Sequence, residues 1–92
     1  RGEAPRLSRV LAGIRHAILS GDRDYAKLER DAAAELDTHG WKTDYVAIRR
    51  QSDLQAPQAG DLELVVLAAS RLGKPRLIDN LEIVTNSQQN NG

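Results

Sequence analysis

Over residues 4–20 the apolar side chains fall at Leu7, Val10, Leu11, Ile14, Ala17 and Ile18, while Arg6, Arg9, Arg15 and His16 lie largely off that line. Spacings of three and four residues place one stripe along a helix, so the segment predicts an amphipathic helix with a single buried face. Gly21 sits where a helix-ending residue is expected, and Asp22 or Asp24 can accept hydrogen bonds from the free N–H groups that open the next helix. A second helix is predicted over about residues 23–39, with the stripe Tyr25, Leu28, Ala32 and Leu36 and a left-handed stop at Gly40. The two form a helical hairpin.

After Gly40 the period changes from 3.6 to 2. Residues 41–49 are rich in aromatic and β-branched side chains and predict a first strand. Residues 51–60, with Pro57 and Gly60, read as a loop. The run Leu-Glu-Leu-Val-Val-Leu-Ala-Ala-Ser over residues 62–70 is almost continuously apolar; its Leu and Ala also allow a helix, but the adjacent valines favour a central strand buried on both faces. Gly73-Lys74-Pro75 makes a turn, and residues 76–84 alternate again, with Leu77, Leu81 and Ile83 on one side and Arg76, Asn80 and Glu82 on the other.

Two helices followed by three strands give an α+β fold, a two-helix hairpin packed on a small, mainly antiparallel three-stranded sheet. Residues 1–84 make one small domain, and residues 85–92, which hold no apolar side chain, read as a polar disordered tail. One hairpin covers one sheet face. Val65, Leu67 and Ala69, or their neighbours, then need a second cover, which hints at a partner surface.

Composition narrows the function. Lys plus Arg and Asp plus Glu number 13 each, so no net field recruits nucleic acid or an anionic membrane. There is no Cys, hence no disulfide framework or thiolate metal site, and a reducing cytoplasm suits the chain. The longest apolar run, Leu64 to Ala69, is too short to span a bilayer. The absence of Met reads as a processed, fragmentary or engineered chain.

No catalytic constellation emerges. His16 and His39 have no partner at metal-ligand spacing, and Asp22, Asp24 and Asp31 beside Arg23, Lys27 and Arg30 read as caps and surface charge. Ser8, Ser20 and Ser70 lack a nucleophile motif, and Gly73-Lys74 is not followed by the Ser or Thr of a phosphate loop. Arg71, Lys74 and Arg76 form the one local basic patch, able to meet phosphate or carboxylate, with Asp79 the expected internal partner. Asp79-Asn80 in mid-strand suggests side chains that satisfy backbone groups or a partner.

Three stretches, Asp44-Tyr45-Val46-Ala47-Ile48-Arg49, residues 65–73 and Arg76-Leu77-Ile78-Asp79-Asn80-Leu81-Glu82-Ile83, together resemble the carboxy-terminal end of the pantoate-β-alanine ligase family, also called pantothenate synthetases. Gly21-Asp22-Arg23-Asp24-Tyr25 between the helices fits as well, so the resemblance runs to Ile83. It implies an ATP-dependent, AMP-forming ligase of coenzyme A biosynthesis that joins pantoate to β-alanine through a pantoyl adenylate with Mg²⁺ assistance. The family's architecture implies a cytoplasmic homodimer, with a Rossmann-like nucleotidyltransferase domain followed by an α+β lid. This chain corresponds to the lid. The family's His-x-Gly-His motif does not occur in it, and the Ser-Ser-Arg-Asn stretch would fall before Arg1. No catalytic, cofactor or metal residue is therefore carried over, and Arg71, Arg76, Asp79 and Asn80 are expected to be structural. The lid alone is expected to bind no cofactor and to be inactive, its partner being the amino-terminal domain. Stripped of it, the lid is expected to self-associate weakly through apolar surface. A stand-alone interaction or self-association module is the alternative from another functional class.

Overall fold

The computed structural model describes residues 4–58 and 60–85. Helix α1 (Ala4–Leu19) and helix α2 (Tyr25–Thr38) precede strands β1 (Lys42–Arg50), β2 (Glu63–Arg71) and β3 (Arg76–Val84). The sheet is antiparallel throughout in the order β1-β2-β3, and both helices lie on one face, α2 against β1 and α1 against β3 and β2. The architecture is the expected α+β one.

Local chemistry fixes the helix ends. The Asp22 and Ser20 amides close the last turn of α1 onto Ala17 O at 3.0 and 3.1 Å, and Gly21 takes φ +109°, which only glycine adopts without strain. Of the two candidate caps, Asp24 opens α2: its Oδ1 accepts the Lys27 amide at 3.2 Å, while Asp22 Oδ1 accepts the amide of Asp24. Trp41 N–H reaches back to Leu36 O at 3.1 Å across Gly40, so the turn that ends α2 also delivers the buried indole into the core.

Leu7, Val10, Leu11, Ile14 and Ile18 of α1, with Ala32 and Leu36 of α2, meet Val46, Ile48, Leu64, Val66, Ala68 and Ile83 of the sheet. Register explains this set. Ile48, Val66 and Leu81 stand abreast, as do Val46, Ala68 and Asp79, because residues directly opposite across a ladder share a face. The edge of β1 is closed from above. The Ile48 amide donates to Glu29 Oε2 at 2.8 Å, and the Arg49 guanidinium covers the Ile48 carbonyl at 2.9 Å. These side chains interrupt the open ladder of β1 at Ile48, one of the ways an edge is made less receptive to another strand.

The tail expected over residues 85–92 lies outside the described residues from position 86 onward. Thr85 itself departs from that expectation. It is buried, its amide donates to Leu62 O at 2.7 Å, and its hydroxyl donates to the same oxygen at 3.2 Å, which extends the ordered hairpin by one residue.

Ile48→Ala, which empties a fully buried position, should destabilise the fold by about 2–5 kcal/mol. Ile78→Ala, on a side chain 64% exposed, should stay within about 0.5 kcal/mol. Urea unfolding of the two variants checks the contrast, and equal losses would contradict the assigned core face.

Candidate functional site

The side chains capable of chemistry are dispersed. His16 is exposed, and the exposed His39 ring is occupied by a hydrogen bond between Nδ1 and Glu35 O at 2.9 Å. Ser70 is buried with its hydroxyl 3.2 Å from Thr43 Oγ1, so it braces β1 against β2 and has no base beside it. Among the described residues no group of three His, Asp or Glu side chains could hold a metal ion. No helix among them is long and apolar enough to cross a membrane. Lys27 and Asp31 pair at 2.8 Å one helical turn apart on the solvent side of α2, in keeping with surface charge.

Arg71, Arg76, Asp79 and Asn80 are not brought into one site. Lys42, Arg71 and Arg76 stand in one cross-strand row at the turn end of the sheet, with Lys74 in the turn between. Arg76 does not pair with Asp79. Strand alternation sends side chains three residues apart to opposite faces, and Asp79 falls in the row of Val46 and Ala68, on the helix side. There it accepts the Asn80 amide at 2.8 Å, one of the two uses expected of this dipeptide. The partner of Arg76 is Asp44, whose Oδ2 accepts from Nε at 2.7 Å. The register between β1 and β2 shifts between Thr43 and Tyr45, and the extra residue, Asp44, reaches across β2 to strap β1 to β3. Sequence reasoning missed this pair because it joins residues 32 positions apart on two strands that are not neighbours in the sheet.

Arg71, Arg76, Ile78 and Asn80 share the sheet face that no helix covers. Its central rows are Tyr45, Ala69, Ile78 and then Ala47, Leu67, Asn80, followed by Arg49, Val65, Glu82. Val65 and Ala69 are buried even so. The exposed apolar surface is carried by the flanking strands, with Tyr45 43% and Ile78 64% exposed.

The loop after β1 borders this face, a feature unseen in its sequence. Arg50 grips Asp53 through Nε at 2.9 Å and Nη2 at 2.7 Å, the Gln55 amide donates to Asp53 Oδ1 at 3.0 Å, and the Leu54 amide donates to Arg50 O. This clasp holds Leu54 at φ +61°, an unusual conformation for a leucine, beside Val65 and Leu67. A shallow hollow of ≈ 250 Å³ results, lined by Gln51, Leu54, Val65, Leu67, Asn80 and Glu82. The available signal was Asp53 two residues before Gln55, the spacing of an Asx turn.

The family model described as pantoate-beta-alanine ligase matches residues 1–82. The pantothenate synthetase of Laribacter hongkongensis (strain HLHK9) is 57% identical over 83 residues, which are 90% of this chain and 30% of that protein. Two crystal structures of the Thermus thermophilus pantothenate synthetase superpose with TM-scores of 0.77 and 0.76 at 29% identity, each covering 91% of this chain and 30% of the other. The chain thus spans about a third of the length of these relatives.

Hydrogen bonds from Arg50, and then from the Gln55 amide, lower the Asp53 carboxyl to about 2. A depressed folded value stabilises the fold above the unfolded carboxyl's titration and is lost as pH falls towards about 2. A carboxyl-detected NMR titration should find this midpoint, and Arg50→Ala should return it towards about 3.9. An ordinary midpoint in the parent chain would mean that the clasp does not form. Arg76→Ala, which removes a pair 40% and 38% exposed, should cost only about 0.2–1 kcal/mol in thermal unfolding.

Proposed function

The chain belongs to the pantoate-β-alanine ligase family, and on that premise we propose that it is the carboxy-terminal, lid-like domain of a pantothenate synthetase that condenses pantoate with β-alanine using ATP. One observation carries the reading: a complete helix–sheet layer matches over 90% of its own length but only 30% of the relative's. On this reading the domain closes over chemistry housed elsewhere.

ATP and Mg²⁺ are assigned to the rest of the polypeptide. The described residues do not fit either group, since they offer no carboxylate cluster for a cation and Gly73-Lys74 forms a hairpin turn instead of a phosphate loop opening a helix. The partner is accordingly an amino-terminal nucleotidyltransferase domain, within a cytoplasmic homodimer, and neither nucleic acid nor membrane is a partner. A second reading, a self-association module without enzymatic activity, draws support from the apolar side chains exposed on the open face.

The test is a graft. This chain replaces the matching 83 residues of the Laribacter hongkongensis enzyme, and AMP release is followed with pantoate, ATP, Mg²⁺ and β-alanine. The graft should retain activity within about tenfold of its parent, a barrier change below about 1.4 kcal/mol, while the 92-residue chain alone should show none. A folded but inactive graft would sink the reading.

A further inference from the structure

The two faces of the layer differ in kind. The solvent side of the helices carries exposed Arg9, Arg15, Lys27, Arg30, Asp31 and Glu35. The two central rows of the open sheet face hold five apolar side chains and one neutral Asn80, with no charge among them. Charges return only at its ends, as Arg49 and Glu82 at one and the cationic row Lys42, Arg71, Arg76 at the other, where Asp44 pairs with Arg76. An apolar centre with a charged rim is the anatomy of a surface that packs against another protein surface. This face is distinct from the outer edge of β1, where Glu29 and Arg49 cap the Ile48 amide and carbonyl.

We propose that this open face is where the remaining two-thirds of the longer polypeptide docks, with Tyr45, Leu67 and Ile78 seated on an apolar patch of it. This rests on the domain reading given under Proposed function. Area decides between that occupant and a second copy of the chain. Three strands about 4.8 Å apart and nine residues long offer about 400 Å² per side. Doubled, that falls within the roughly 600–1,500 Å² of interfaces between domains of one chain but is only half the roughly 1,600 Å² of a stable free complex. A covalent tether supplies an effective concentration in the millimolar range, so a small face suffices for a linked domain and fails for a free copy. The cationic row adds a direction: the docked surface brings acidic groups to the β2–β3 turn end.

The chain has no cysteine, which makes single-cysteine reporters clean within it. Ile78→Cys reports the open face, and Ala12→Cys reports the exposed side of α1. Each is placed in the isolated chain and in the Laribacter graft, and alkylation by iodoacetamide is followed on the relevant peptide by mass spectrometry. An undocked population of about 10% or less slows alkylation of Ile78→Cys about tenfold or more in the graft, with Ala12→Cys unchanged. Tyr45→Cys, also on an exposed side chain, repeats the test if Ile78→Cys impairs folding. Equal rates in isolated chain and graft overturn the proposal, and if the unsubstituted graft still makes pantothenate, they do so while leaving the domain reading intact. Protection that appears in the isolated chain and grows with its concentration also overturns it, in favour of a second copy. Protection in a graft that makes no pantothenate supports the docking face while removing the proposed function.

Discussion

Strand β2 is the constraint to which the rest of the molecule answers. It is paired along both edges, so its backbone is satisfied by β1 and β3, and its side chains alternate between two surfaces that are both apolar. Leu64, Val66 and Ala68 require the helices, and nearly every buried side chain of α1 and α2 serves that requirement. Val65, Leu67 and Ala69 make the same demand in the opposite direction, where the chain supplies only flanking side chains and the clasped loop bearing Leu54. Burial of apolar surface stabilises at about 25 cal/mol per Å². A face left half-covered is therefore a standing preference for a further layer.

The polar interactions mostly serve to keep that layer single and in register. Asp24 opens α2, Asp44 straps β1 to β3, and Glu29 reaches from helix to strand edge. None is a deeply buried ion pair, and partly exposed pairs contribute about 1 kcal/mol or less each. Their value lies in specificity. A bulge at Asp44 that lines a carboxylate up with Arg76 fixes which residues of β1 face the helices.

Much of this was written in local patterns. Helix stripes at three and four residues, Gly21 and Gly40 as stops, and the change to period 2 after Gly40 located every described element to within two residues, because each signal is enforced by neighbours in sequence. The family resemblance was legible for a similar reason, resting on contiguous stretches around Asp44, Arg71 and Arg76. What escaped depends on residues distant in sequence. Pairing of Arg76 with Asp44 crosses 32 positions and a bulge, and burial of Thr85 depends on Leu62 across the hairpin. The candidate surface fell between the two cases: the apolar excess of β2 announced an uncovered face, but exposure passed to Tyr45 and Ile78 on its neighbours.

A lid needs a surface that holds and releases. A third helix over the open face would bury Tyr45 and Ile78 permanently and make the domain self-sufficient, at the cost of any reason to meet another domain. A sheet face of a few hundred Å², apolar at its centre and charged at its rim, has the opposite character. It gains from contact when a tether keeps the partner near, yet the gain is small enough to be undone on the microsecond to millisecond timescale of domain motion. On the proposed reading, the domain contributes to a reaction by where it sits, and its open face is the part of the fold that decides where that is.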